Sequence, residues 1–238
     1  IKFEEKSSTI VKELENTKTL YITNREELSD AISGGVLVTA EGSGLLTIGS
    51  EGIDEEEQAL IEGADEVYII GGPVRVPQRF ENFGNFQYRF SGQSRFETAV
   101  EIANHLGTDR DLVIVNGYNY VDSITSTSML ALENRNVLLV GKDSIHPATK
   151  AYLEAHGAGK DLIFVGGENS ISSQVKEEAL KLISSEKTVE ESTLAGADRY
   201  ETSLKIAQRN PEDSNLVLAN GYDFEMAINA VNFFDEAQ

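Results

Sequence analysis

The sequence predicts an α/β protein built of tandem modules, each holding a mostly parallel sheet. Short apolar runs such as Leu112-Val113-Ile114-Val115 and Leu162-Ile163-Phe164-Val165 alternate with amphipathic stretches of helical length. Continuous apolar strands separated by helices indicate a parallel sheet covered on both faces. The chain also repeats itself. Arg95-Phe96-Glu97-Thr98-Ala99 returns as Arg199-Tyr200-Glu201-Thr202-Ser203, and Asn116-Gly117-Tyr118 returns as Asn220-Gly221-Tyr222, both 104 residues on. A period of about 100 residues is too long for a solenoid turn and fits a duplicated small domain. A worn third copy lies upstream. Asp30 to Ile53 pairs without a gap with Asp122 to Ile145, 92 residues on, which brings Asn24 onto Asn116. Glu66 to Gly72 pairs with Asp161 to Gly167, 95 residues on. The repeats are expected at 1–87, 88–187 and 188–238, with only the middle one complete. The first is expected to start after its opening and the third to stop about halfway, as in a piece of a longer chain.

The middle repeat sets the order of elements. Phe96, Val100, Ile102, Ala103 and Leu106 form a helical stripe that ends at Gly107. Leu112 to Val115 is a buried strand, bounded by Asp111 and Asn116-Gly117. A second helix is expected from about Asp122 to Glu133, then a strand over Val137 to Val140. Pro147 opens the next helix near its first turn. Leu162 to Val165 is the third strand, closed by Gly166-Gly167, and Ser170 to Ile183 the last helix. In the first repeat, Val36-Leu37-Val38-Thr39-Ala40 has strand propensity. Its register falls on Ser128 to Leu132, inside a helix, and propensity is the weaker guide. A helix is therefore predicted there, with Gly34-Gly35 inside it at a cost of ~1 kcal/mol per glycine. Small residues at that point predict close approach by another backbone, that of a neighbouring repeat. The third repeat carries only an opening helix, a strand and a helix. Alone it would bare a sheet edge and an apolar face, so it is expected to pack against another repeat or chain.

Composition excludes several classes of function. Hydrophobic residues make up 40% of the 238, enough for folded cores. No apolar run reaches the ~18 residues of a membrane span. The opening Ile1-Lys2-Phe3-Glu4-Glu5 is acidic, so any export signal is expected outside this sequence. The absence of cysteine removes disulfides and thiolate metal sites. A net charge of −20 is a poor match for nucleic acid or anionic membranes, so neither is expected as a partner.

Ligands of open α/β sheets bind beyond the carboxyl ends of strands. Those ends carry Asn24, Asn116 and Asn220, and the pairs Gly71-Gly72 and Gly166-Gly167. The glycines read as tight turns. For the asparagines, backbone capping and ligand contact are both open. Neither a Gly-x-Gly-x-x-Gly nor a phosphate-loop motif occurs, and Glu168 would repel phosphate. His105, His146 and His156 lack metal-ligand spacing and read as surface or capping residues. Ser91 sits in no nucleophile elbow, and Glu55-Glu56-Glu57 reads as a solvated helix face. No cofactor, metal or catalytic pair is expected. Arg95 and Arg199 each open a helix, where the macrodipole disfavours a cation. Each is expected to face something negative, either an anionic ligand or a carboxylate of the fold. Asp30 and Asp122 are the carboxylate candidates, with Glu97 and Glu201 suiting the helix starts as structural, inter-repeat groups.

Arg89-Phe90-Ser91-Gly92-Gln93-Ser94-Arg95-Phe96-Glu97-Thr98 resembles the opening motif of the type 2 cell-wall-binding repeats. Asn116-Gly117 followed by Asp122, Val137 to Ser144, and Val165 to Ser172 match the rest of that pattern in order. The resemblance covers nearly the whole chain. It implies Rossmann-like or Toprim-like modules in a pseudo-threefold arrangement. It also implies non-catalytic anchoring of a surface protein to an anionic, teichoic-acid-like polymer of a Gram-positive wall. Arg89, Arg95 and Arg199 would then be charge partners, and Asn24, Asn116 and Asn220 hydrogen-bonding groups. Thr193 stands where the pattern has Arg89, Met226 replaces the Asp, and Lys2 stands where the first repeat should have the counterpart of Arg95, so the sites cannot be equivalent. Because the third repeat does without Arg89, that arginine is expected to serve the ligand. Arg95 and Arg199 are expected to serve as clamps as well. A scaffold that has lost polymer binding is the alternative.

Overall fold

The computed structural model describes residues 14, 17–26, 28–119, 133–209, 220–229 and 232. In chain order the elements are β1 (Thr19–Asn24), α1 (Leu28–Glu41), β2 (Gly44–Ile48), α2 (Glu55–Gly63), β3 (Glu66–Ile70), a 3-10 turn (Gln78–Asn82) and β4 (Phe86–Phe90). There follow α3 (Arg95–Leu106), β5 (Asp111–Asn116), β6 (Arg135–Val140), α4 (Pro147–His156), β7 (Leu162–Val165), α5 (Ser173–Leu182), β8 (Thr193–Leu194), α6 (Arg199–Ala207) and α7 (Phe224–Asn229). They build two parallel sheets of the same topology, β2-β1-β3-β4 and β6-β5-β7-β8. The opening phrase of the second repeat starts inside β4, so it completes the sheet of the first. The helix expected from Asp122 falls on residues outside those described, as does Asp122 itself.

Side-chain alternation along the strands divides the interior into three cores. Leu112, Ile114, Leu138, Val140, Leu162 and Phe164 face α4 and α5 of their own unit. Leu20, Ile22, Leu46, Ile48, Val67 and Ile69 line the corresponding core of the first unit. The intervening residues, among them Tyr21, Leu45, Ile70, Val113, Val115, Val137, Leu139 and Val165, face a central core shared between the sheets. All three repeats meet there. The first contributes Ile32, Val36 and Leu37 of α1, the second Phe96, Ala99 and Ile102 of α3, and the third Ile206 and Ile228. A helix does run through Val36 to Thr39, as the repeat register requires. Gly34 is needed for a different reason from the one expected. A Cβ there would lie 2.5 Å from Ile70 Cδ1, so its close neighbour is a side chain of the same unit's sheet rather than another repeat's backbone.

The third repeat packs onto the first. Helix α7 lies against α1 and β2. Asn232 covers the edge of β2. Its carboxamide oxygen accepts from Leu45 N at 2.7 Å and its Nδ2 donates to Leu45 O at 2.8 Å, much as a further strand would. Asn229 adds a bond from Nδ2 to Thr47 Oγ1 at 3.0 Å. Between the first two repeats, Glu41 accepts from the Tyr21 hydroxyl and lies 3.2 Å from His105 Nε2. Burial first, and this carboxylate second, push the Tyr21 hydroxyl far above its ordinary value.

An ion network ties the third repeat to the second. Arg135, 7% exposed in its side chain, donates to Glu133 at 2.7 Å and to Asp161 at 2.8 Å. Arg209 of the third repeat makes a two-pronged contact with Glu133, at 2.7 and 2.8 Å, and Lys187 pairs with Asp161. Burial pushes both carboxyls up. The cations outweigh it, Arg209 then Arg135 at Glu133 and Lys187 then Arg135 at Asp161, so both titrate below their usual range. Depressed carboxyls contribute stability that is full above their unfolded values, about pH 4. That contribution is lost as pH falls through the folded values. Urea unfolding followed from pH 6 down to 2.5 should therefore show an acid limb of falling stability. Removing the exposed partners with Lys187→Met and Arg209→Met should flatten it. An unchanged limb would mean that the network does not govern acid stability.

Candidate functional site

The two copies of the repeated phrase build one constellation twice. Arg95 opens α3 and its Nη1 donates to Gly117 O at 2.6 Å, 22 residues on. Arg199 opens α6 and its Nη1 donates to Gly221 O at 2.8 Å, again 22 residues on. Each guanidinium carbon sits 4.9 Å from the centre of the next tyrosine ring, Tyr118 and Tyr222 respectively. The packing leaves little room for anything larger than glycine. A Cβ on Gly117 would lie 3.3 Å from Arg95 Cδ, Leu139 Cβ and Phe96 Cε1, and one on Gly221 would lie 2.9 Å from Tyr200 Cε1. The asparagine ahead of it folds the turn. Asn116 Oδ1 accepts from Tyr118 N at 2.7 Å and Asn119 N at 2.9 Å, and Asn220 Oδ1 accepts from Tyr222 N at 3.0 Å. The arginine, asparagine, glycine and tyrosine thus recur together because they form one structure, which in the second repeat lies at the carboxyl end of β5.

The other phrase residues hold the helix start. Thr98 Oγ1 accepts from Gly92 N at 3.1 Å and Thr202 Oγ1 from Gly196 N at 2.9 Å. Asp198 caps α6 through Oδ1, which accepts from Tyr200 N and Glu201 N, both at 2.9 Å. Glu201 accepts from Ala197 N at 2.9 Å, and that bond, then Lys205, lowers its carboxyl below the usual range. Glu97 is half-buried at the corresponding position of α3.

The predicted site residues separate into two groups. Arg95 and Arg199 are half-buried, and Asn220 is exposed. Asn24 and Asn116 are 2% and 4% exposed, and their amides are used by the fold. Asn24 Nδ2 donates to Arg75 O at 2.9 Å, and Asn116 Nδ2 donates to Ser170 O, the corresponding carbonyl 95 residues on. Asp30, 8% exposed, lies against Gly71 of its own repeat, where a Cβ would meet Asp30 Oδ2 at 2.9 Å.

Arg89 is an internal clamp, contrary to the ligand role expected for it. Its side chain is 10% exposed and pairs with Glu81 at 2.7 Å. Its Nη1 donates to Gly71 O at 2.7 Å and Val76 O at 3.0 Å. Thr193 can replace it in the second sheet because another cation does the work. Lys176, 3% exposed, donates to Gly166 O at 2.9 Å, the counterpart of Gly71 O. Lys176 stands 95 residues after Glu81, so the pair Glu81 and Arg89 has become Lys176 and Thr193.

Two other expectations meet the structure differently. His146 caps α4, with Nδ1 accepting from Ala148 N at 3.2 Å, as one of the readings allowed. Glu57 does not belong to a solvated face. It is 5% exposed, forms a capping box with Asp54 and pairs with Arg25. The spacing Asp54-Glu55-Glu56-Glu57 is itself the capping-box signal. Tyr118 and Tyr222 were legible as parts of a repeated phrase, though the phrase alone did not mark them as site residues. Among the described residues no His, Asp and Glu cluster could hold a metal, and no helix is long and apolar enough to cross a membrane.

Two parallel α/β units of one topology, with an arginine recurring at a helix start, make this a tandem-repeat protein of α/β modules. Residues 89–176 match the family model for Cell wall binding domain 2 (CWB2). The fold is that of Cwp8 from Clostridium difficile, with a TM-score of 0.78, 21% identity, and coverage of 97% of this chain and 42% of that one. Cwp6 from Clostridium difficile superposes with a TM-score of 0.76 at 21% identity, covering 94% of this chain and 38% of that one. The sequence is 27% identical over 217 residues to the N-acetylmuramoyl-L-alanine amidase LytC of Bacillus subtilis (strain 168), spanning 88% of this chain and 42% of the relative. It is 24% identical over 213 residues to the Amidase enhancer of the same organism, 87% of this chain and 28% of the relative. The chain thus spans less than half the length of these relatives.

Proposed function

We propose that this chain anchors a longer surface protein to a Gram-positive cell wall, non-covalently, by binding an anionic secondary wall polymer. The domain match is to cell-wall binding and supports the coarser part of this reading. The observation that carries the finer part is the doubled constellation of Arg95 and Arg199. In a chain of net charge −20, a half-buried guanidinium recurs at the same helix-opening position of two repeats and holds the same glycine carbonyl. An acidic surface can hold an anionic polymer only where positive charge is concentrated locally. Asn220 serves as a neighbouring hydrogen-bonding group, while Asn24, Asn116 and Arg89 act indirectly by shaping the turns. The repeats at 1–87, 88–187 and 188–238 act as unequal sites of one module, and the module carries no chemistry of its own. Sedimentation of the 238-residue chain with purified walls of Bacillus subtilis and Clostridium difficile tests the reading. Binding is expected to intact walls, and to be lost from walls stripped of secondary polymer by hydrofluoric acid. Absence of binding to either intact wall would instead favour a lattice scaffold.

A further inference from the structure

We infer that Tyr118 and Tyr222 are stacking platforms for pyranose rings, so that the polymer bound at these sites has sugar in its repeating unit. The inference rests on the wall-binding reading and deepens it. Both tyrosines are strongly exposed, at 64% and 74%, yet both are held in place. Each backbone N–H is tied to the asparagine two residues earlier, and each ring lies over its arginine at 4.9 Å. Tyr118 is further set edge-on against Phe96, with centroids 5.6 Å apart and planes at 68°. A guanidinium can cover only part of a ring so exposed. Two large aromatic side chains are thus presented to solvent, immobilised, at one recurring position.

A pyranose suits such a surface. Its axial C–H groups form an apolar face, and its hydroxyls form a polar rim. A tyrosine ring offers a flat apolar face with a polar tip, and little conformational entropy is lost on contact. The neighbouring turn supplies polar groups for the rim. A Cβ on Gly141 would stand 3.9 Å from Tyr118 Cε2, so the ring lies beside the turn whose next residues, Lys142, Asp143 and Ser144, are exposed. The arginine beneath adds the charge that an acidic sugar or a phosphodiester linkage needs. The first repeat lacks the platform. Glu26 takes the place of Tyr118, 92 residues earlier, and hydrogen bonds from Ser50, then Asn24, keep its carboxyl below the usual range. A fixed negative charge there repels an anionic chain. The module is therefore asymmetric, with sugar platforms in the second and third repeats only.

Tyr118→Ala, Tyr222→Ala, the double variant and the two Tyr→Phe variants would be sedimented with the same walls, with thermal melts as folding controls. Each alanine is expected to weaken retention about tenfold and the pair about a hundredfold, because linked sites multiply. The phenylalanine variants should bind within about twofold of wild type, since the ring face is kept. All should melt near the wild-type temperature. Double-alanine protein retained like wild type would overturn the platforms while leaving wall anchoring intact. Wild-type chain that fails to sediment would overturn the anchoring reading itself. If wild type still binds stripped walls in a tyrosine-dependent way, the stacked sugar is that of peptidoglycan; the platforms then stand and the secondary-polymer assignment falls.

Discussion

Arg89→Ala is expected to lower stability by about 3–5 kcal/mol, the usual cost of removing one partner of a buried ion pair. Two losses combine. Glu81 keeps a charge that its pairing had compensated, and the carbonyls of Gly71 and Val76 lose their donor. These carbonyls lie just beyond β3, where the chain turns toward the 3-10 segment, so the turn that positions the end of the first sheet should loosen. Lys176→Met should act similarly on the second sheet, because Lys176 donates to Gly166 O, the counterpart of Gly71 O. The swap between the units suggests a rescue. Arg89→Thr combined with Glu81→Lys places the second unit's residues in the first, and the double variant should be more stable than Arg89→Thr alone. Urea unfolding reads both results. Wild-type stability in Arg89→Ala, with wall binding lost, would return this arginine to the ligand-contacting role.

The expectation about Arg89 failed for a definite physical reason. Its replacement by Thr193 looked like evidence that folding can do without it. The requirement belongs to the glycine carbonyl rather than to the arginine, and a lysine from a different element can meet it. A compensation of this kind involves two positions at once, Glu81 and Arg89 in the first sheet (8 residues apart) and Lys176 and Thr193 in the second (17 apart), so reading one column of the repeat cannot reveal it.

Other parts of the fold were legible because they rest on period and chemistry together. The alternation of β5, β6 and β7 between two cores follows from strands that are apolar on both faces. The helix over Val36 to Thr39 became legible only through the repeat register, since its β-branched residues favour a strand locally. Gly34 marked a close approach, but a small residue says only that space is short and does not identify what fills it. Ile70 fills it. The asparagines were open between turn and ligand. Burial of Asn24 and Asn116 depends on the loops after β3 and β7, respectively, folding back over them, a tertiary contact that no local pattern carries.

Arg95→Ala and Arg199→Ala should each weaken wall retention about tenfold, and together about a hundredfold, if each site supplies ~1.4 kcal/mol of charge-assisted contact. The stability cost should be smaller than for Arg89→Ala. Each of these arginines is half-buried and holds a backbone carbonyl and the face of an exposed ring, contacts together worth about 1–2 kcal/mol. Arg95→Lys and Arg199→Lys separate charge from geometry. Lysine keeps the positive charge but cannot both hold the glycine carbonyl and lie flat on the tyrosine. If charge alone holds the polymer, the lysine variants should bind like wild type. If the guanidinium also orients the tyrosine, they should fall between wild type and alanine, and that is the expected result. Raising ionic strength should weaken wild-type retention and affect the double-alanine variant much less, because the screened attraction is already gone. Equal salt sensitivity in the two proteins would mean that the polymer meets its positive charge elsewhere on the chain.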